Sequence, residues 1–166
     1  TQVCTSSSDS SCYGDYYQFG RLRDGHELVT VSPPHSSIVN TKATNIINTG
    51  TSNFIYSASP VDWISDQTNI DDGTLRKISW SQTNGDDSSN KLVCPSGYRI
   101  PTNSELKAET INNGVIDSAS AFSNFLKLPG SGFRNGSDGV KGDVGTKGYL
   151  WSLDVAGGKG NAIEFD

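Results

Sequence analysis

Two histidines, three cysteines and a scatter of paired acids are the residues in this 166-residue chain whose types could do chemistry. An activated nucleophile needs Ser, Thr or Cys set against a base, and only His26 and His35 offer an imidazole. His26 lies in Asp24-Gly25-His26-Glu27, where a turn role or a surface hydrogen bond is expected; His35 follows Pro33-Pro34 in a loop. No His-Glu-x-x-His, no Cys-x-x-Cys and no phosphate-cradling glycine pattern occurs. Asp71-Asp72 and Asp86-Asp87 are residue pairs of the kind glycosidases use, but adjacent acids in Asn- and Gly-rich loops read as solvated turns. The loops Asn69-Ile70-Asp71-Asp72, Asn84-Gly85-Asp86-Asp87 and Asn135-Gly136-Ser137-Asp138 offer hard oxygen ligands to Ca²⁺, without EF-hand spacing. Calcium-dependent sugar binding has no further support, so no catalytic residue, metal ligand or cofactor is assigned, and an enzyme is not expected.

The thiols carry a different message. Cys4 and Cys12 bracket a Ser/Asp-rich loop that holds no His or further thiol at metal-ligand spacing, so a local disulfide is expected, and with it an oxidising compartment. Cys94 is then left over: free, buried, or paired outside the sequence. The single sequon, Asn135-Gly136-Ser137, makes Asn135 a candidate glycosylation site. Recognition is expected on the loops between Phe133 and Lys159. That stretch gathers Arg134, Asn135, Asp138, Lys141, Asp143, Lys147, Tyr149 and Asp154 among glycines, polar and aromatic groups on irregular backbone. Trp151, within the same stretch, reads as a core residue.

The elements that must position these groups are short. Hydrophobic residues make up 33% and charged residues 19%, the balance being Ser, Thr, Asn and Gly, which favours turns and short strands over long helices. One domain spanning 1–166 is expected. A net charge of −5 with no Lys/Arg cluster argues against nucleic acid as a partner. No apolar run approaches the ~20 residues that span a bilayer, and the absence of a basic-then-apolar leader and of Met suggests a processed chain. Tyr13 to Arg23 is dense in aromatics and predicts a short helical turn packed into the core. Residues 30–90 form a long Ser/Thr/Asn-rich excursion whose apolar patches are expected to be pinned by Trp63 and Trp80. Thr102-Asn103-Ser104-Glu105 is a capping box that starts one helix. Asp117 or Ser118 caps a second, with Ala119, Phe122 and Leu126 as its buried stripe and Pro129 as its stop. Phe133-Arg134, Gly148–Ser152 and Asn161–Phe165 then suit an antiparallel meander, and the class is α+β.

Several pieces occur together and in order. Tyr13-Gly14-Asp15-Tyr16-Tyr17-Gln18-Phe19-Gly20-Arg21 followed by Asp24-Gly25-His26-Glu27, Cys94-Pro95-Ser96-Gly97-Tyr98-Arg99-Ile100-Pro101-Thr102 with Glu105, Ala121–Pro129, Gly132-Phe133-Arg134-Asn135, and Gly148-Tyr149-Leu150-Trp151-Ser152 resemble the signature blocks of the Fibrobacter succinogenes major paralogous domain family. The resemblance implies a C-type-lectin-like fold, the variant shared with formylglycine-generating enzymes and the variable proteins of diversity-generating retroelements. It would have two short helices, a small twisted antiparallel sheet and long ordered loops. The triplets that bind sugar in true C-type lectins are missing, and nothing after Cys94 matches the late cysteines of the formylglycine-generating enzymes. The family also has a strand before the position of Thr1 and another after that of Asp166, whose final Cys bonds the one at the position of Cys94. These are expected to be either truncated or supplied by a neighbouring copy.

Family members look like secreted or lipid-anchored bacterial surface proteins. The expected function is therefore a non-enzymatic extracellular domain for ligand recognition or adhesion, its partner an unidentified surface protein or glycan. Two alternatives stand beside it. One is a structural subunit of an extracellular fibre, sheath or appendage that binds copies of itself, with glycans as an optional addition; the other is a viral or phage receptor-binding protein.

Overall fold

The structure is a computed structural model that describes residues 4–28, 38–58, 61–65, 74–81 and 92–166. The aromatic segment expected to be helical is extended instead: residues 13–18 carry no helical bonds, and a turn follows at Phe19-Gly20. The reason is visible in what its carbonyls do. The carbonyls of Tyr17, at the end of the extended stretch, and of Phe19 and Arg21, in and just after the turn, each accept an indole N–H. The donors are Trp151 (2.9 Å), Trp63 (3.0 Å) and Trp80 (3.0 Å), all three tryptophans of the chain. A helix would have consumed those carbonyls internally. Phe19 packs against Trp80 and Trp151 with ring centroids 5.0 and 5.6 Å apart, and Tyr17 meets Trp80 edge-on.

The same segment organises the Ser/Thr/Asn excursion. Gln18 uses its side-chain amide as a strand would use its backbone, donating to Ile55 O (2.7 Å) and accepting from Ile55 N–H (3.1 Å). Arg21, 0% exposed, donates to the carbonyls of Asn53 (2.9 Å) and Thr51 (2.6 Å), to Thr49 Oγ1 and to Gln18 Oε1. The loop so held positions a short parallel pair, β1 (Ile38–Val39) with β2 (Phe54–Ile55). A parallel bridge joins Ala43 to Ile64, and Ala43, Ile55, Trp63 and Ile64 form one core cluster. Trp63 and Trp80 pin the excursion as expected. Unexpected is a helix within it, α1 (Thr74–Ser81), which turns Arg76, Ser79 and Trp80 inward. The helices are therefore three among the described residues, where the sequence suggests two.

The capping box holds. In α2 (Asn103–Glu109) Thr102 Oγ1 accepts from Glu105 N–H at 3.2 Å while Glu105 Oε2 accepts from Thr102 N–H at 2.8 Å. Arg99 clamps the Glu105 carboxylate from outside at 2.7 and 2.9 Å. Asp117, not Ser118, caps α3 (Ser118–Ser123). Its buried residue is Ala121, whereas Ala119 and Leu126 are exposed and Phe122 is half-buried. The expected stripe fails because the helix ends at Ser123, with Asn124 in extended conformation, before a further turn can form. Ala121 joins Val115 and Phe165 in a second cluster.

The meander is also rearranged. β5 (Gly148–Ala156) and β6 (Lys159–Phe165) make one antiparallel hairpin through Gly157-Gly158. Both turn glycines have positive φ, 57° and 75°, as a tight hairpin of matching twist requires. Phe133-Arg134 (β3) pairs instead with Lys141-Gly142 (β4), and it meets the hairpin through a parallel bridge between Gly132 and Gly148 and an edge-on contact of the Phe133 ring with Tyr149. The result, among the described residues, is an α+β arrangement of three two-stranded sheets and short helices. Cys4 and Cys12 are disulfide-bonded and Cys94 is free. Among the described residues, no helix is long and apolar enough to cross a membrane.

Removing Arg21 would leave Gln18, Asp24 and the carbonyls of residues 51 and 53 without their buried donor. Arg21→Met is expected to lower unfolding stability by about 3–5 kcal/mol, read as a shift of the urea midpoint with an unchanged slope.

Candidate functional site

Two places gather chemistry-bearing groups. The first is the turn that closes on Arg21. Asp24, His26 and Glu27 present ligand atoms within 4.8 Å of one another, and His26 is wholly buried rather than on the surface as expected. Every one of these atoms is already engaged. His26 Nε2 accepts from Gln18 N–H (3.1 Å), which makes Nδ1 the donor to Asp24 Oδ1 (2.7 Å) and the imidazole neutral. Glu27 Oε2 accepts from the amides of Asp24 and Gly25. Asp24 Oδ2 takes the Arg21 guanidinium at 2.8 Å and the Thr49 hydroxyl at 2.8 Å. A cation would have to displace those bonds beside a guanidinium, so the cluster fits a structural role and not a metal. Burial opposes ionisation of Asp24, yet the His26 and Thr49 hydrogen bonds and the Arg21 charge outweigh it and hold the carboxyl at about 2. His26 is held below the usual imidazole range, chiefly by burial, with the Asp24 hydrogen bond acting the other way.

The second place is a groove of about 1050 Å³. Its floor is the Tyr16–Phe19 segment; Phe54 and Trp63 line one part and Tyr149, Leu150 and Trp151 another, with residues 131–136 between. Tyr16 Oη donates to Ser131 O and ties floor to wall. Gly132 is needed at the corner, because its φ is +71° and a Cβ there would run into the backbone of residues 142–144. Trp151, expected in the core, is 38% exposed: its indole N–H is anchored on Tyr17 O while its ring faces the groove. Arg134 lies over the Phe54 ring, its guanidinium carbon 4.1 Å from the centroid, and donates through Nε to Gly139 O at 3.0 Å. Its Nη1 is buried with no hydrogen-bond partner. Burial pushes the Arg134 pKa down, and Lys141, its register partner on β4, is pushed down by burial and then by Arg134. Lys141 sits 5.6 Å from the Tyr16 ring centroid.

No family model, no curated protein and no solved structure matches this chain.

The eight residues expected to form one ligand face divide into separate groups. Arg134, Asn135 and Tyr149 line the groove and Lys141 stands beside it. Tyr149 Oη also donates to Asp143 Oδ2 (2.7 Å), close to Lys147, which pairs with Glu164 (2.8 Å) and Asp166 (2.6 Å), so Asp143 and Lys147 belong to an ionic strip along the hairpin. Asp154 Oδ2 accepts from Asn103 N–H at 2.6 Å and fixes the start of α2 to β5, a structural duty. Asp138 and Asn135 turn their carbonyl or carboxylate oxygens onto their own loop, at Val140 N–H and at Ser137 N–H and Oγ–H, which draws them away from a shared cation. The Asn135 sequon is half-buried through that Asx turn. His35, the acid pairs Asp71-Asp72 and Asp86-Asp87, and the loops 69–72 and 84–87 lie outside the described residues. The floor residues Tyr16, Tyr17 and Phe19 were legible only as aromatic density, and no spacing in the sequence marked them as facing a groove.

The linkage at His26 has a definite sign. Unfolded chain takes a proton near pH 6.5 while the native imidazole resists it, so this contribution leaves stability flat above that pH and lowers it as pH falls below. Asp24 adds a second loss as pH drops from about 3.8 towards about 2. Urea midpoints between pH 8 and pH 5 are expected to decline in the wild type and to decline less in His26→Gln.

Proposed function

We propose that this chain is a non-enzymatic surface domain that recognises a ligand in the groove. On this reading it has a C-type-lectin-like fold, is related to the Fibrobacter succinogenes major paralogous domain family, and works outside the cell. The observation that carries the reading is the groove itself: a concavity within the size range of ligand sites, walled by Tyr16, Tyr17, Phe19, Phe54, Trp63 and Trp151, with a half-buried guanidinium whose Nη1 has no partner. Aromatic walls supply contact area at low entropic cost, and an unpartnered donor supplies orientation. The disulfide between Cys4 and Cys12 supports an oxidising compartment. Against catalysis stand the engagement of both His26 ring nitrogens and the Cys94 thiol, whose pKa burial pushes up, away from a reactive thiolate. The sequence blocks support the family, and the α+β arrangement is compatible with it.

A structural subunit is the second reading, favoured by Ile111, Ile116, Phe125 and Leu126, exposed apolar side chains that fall within one short stretch around α3. Self-association through them would appear as concentration-dependent sedimentation that Phe125→Ser reduces.

For the recognition reading, glycan and surface-protein arrays probed with wild type, Trp151→Ala and the rim variant Val61→Glu are decisive. Binding to a defined class that falls at least tenfold in both variants, with circular dichroism unchanged, is the expected result. Array binding that neither variant alters would remove the groove from the function.

A further inference from the structure

Two features of the groove are unused by the fold. The first is a length of strand edge. A strand paired on one side only turns the N–H and C=O of every second residue outward; Lys147 O, which faces Gly132 and not β6, puts Tyr149 and Trp151 in that outward set, short of the register shift between Trp151 and Val155, beyond which Leu153 N–H donates to Pro101 O at 2.8 Å. At the near end Gly132 N–H reaches Lys147 O at 2.7 Å. Between those two bonds, Leu150 and Trp151 make no backbone bond outside the β5–β6 pair among the described residues, and both line the groove. β3 and β5 start side by side at Gly132 and Gly148, and beyond that point residues of both face the same open space.

The second feature is charge. Arg134 and Lys141 are paired in register, burial pushes the pKa of each down, and neither has an acid within ion-pair distance among the described residues. Arg134 is held through Gly139 O and the Phe54 ring, and its buried Nη1 makes no hydrogen bond. A buried donor without an acceptor is costly unless a partner arrives.

From these together we propose that the groove takes an extended, acid-bearing polypeptide segment of a partner, added as a strand to the outward edge of β5, with one carboxylate on Arg134 and Lys141. Backbone bonds to Trp151 supply affinity that is blind to sequence. Alternate side chains then point onto the half-buried rings of Tyr16 and Tyr17 on the floor, which select apolar residues, and the carboxylate sets register through a charge-assisted bond. An oligosaccharide would satisfy the rings and the cations but leave the strand edge open, which is why a peptide is favoured. The inference rests on the groove being the ligand site.

A random nonapeptide library presented to the purified domain tests it, with acidic oligogalacturonate as the competing probe. The expected outcome is enrichment of sequences that alternate apolar residues and carry Asp or Glu at one fixed place, with the Trp151 amide gaining hydrogen-exchange protection when an enriched peptide is bound. Lys141→Glu, at an exposed position, should weaken that peptide by roughly tenfold or more, and Arg134→Gln should abolish the preference for the acid. Enriched peptides without an acid, or binding that leaves the Trp151 amide unprotected, would overturn the proposal. Binding of oligogalacturonate in place of any peptide, lost in Val61→Glu, would overturn the strand while leaving groove recognition standing. A domain that binds neither probe and instead dimerises, with the dimer lost in Lys141→Glu, would reassign the groove to a second copy of this chain.

Discussion

The backbone of residues 17–21 carries the rest of the structure. Its three alternate carbonyls receive the indole N–H groups of Trp63, Trp80 and Trp151, which come from the excursion, from α1 and from β5. A buried indole whose N–H lacks an acceptor is unfavourable, so Trp63 and Trp80 can enter the core only where a carbonyl is on offer, and the more exposed Trp151 is anchored in the same way. Because the acceptors sit on one short stretch that turns at Phe19-Gly20, three remote pieces of chain are forced to converge on it. Gly20 permits the convergence: its φ is +78°, and a side chain there would collide with Arg76 of α1.

Behind that strip, Arg21 does for the polar excursion what apolar periodicity does elsewhere. A loop of Thr, Ser and Asn has little to bury, yet the guanidinium takes up the carbonyls of Thr51 and Asn53 and the Thr49 hydroxyl, and Gln18 takes both backbone groups of Ile55. A fully buried charge is tolerated only when it is paired and its donors are filled. Asp24 supplies the counter-charge, and His26, neutral and hydrogen-bonded on both nitrogens, orients Asp24 without adding a second cation. The cluster that reads as chemistry in a list of residue types is thus the lock of the fold.

The groove follows from the same arrangement. The strip presents Tyr16, Tyr17 and Phe19, the excursion brings Phe54 and Trp63, and the hairpin brings Trp151, so the aromatic walls are a by-product of where the tryptophans had to dock. What does not follow from packing is Arg134. Its half-buried guanidinium has an aromatic platform and one carbonyl, and no acid among the described residues. In the lock every donor on Arg21 is spent, whereas at the groove a donor is kept in reserve. That contrast between two arginines is what supports the groove as the proposed ligand site.

Local rules written in adjacent residues were legible from the chain alone. The capping box at Thr102 and Glu105 needs only the reach of two side chains across one turn, and the disulfide needs only the short span from Cys4 to Cys12. The Gly157-Gly158 turn lies between two strand-like runs for the same kind of reason, and the α+β class follows from such short elements. Everything that depended on a distant acceptor was illegible. Tyr13–Arg23 reads as a helical turn because its carbonyls' partners lie 44, 59 and 134 residues away. His26 reads as a surface turn residue because Gln18, Asp24 and Arg21 become its surroundings only after the turn closes. The eight polar residues between Phe133 and Lys159 read as one face because sequence proximity hides the division that strand pairing imposes, Arg134 and Lys141 to the groove, Lys147 to the ionic strip, Asp154 to a helix start. Composition and short-range spacing determined which elements form and how they end; only the tertiary structure decided which groups are buried as a lock and which are left with hydrogen bonds still to make, because that depends on partners brought together from far along the chain.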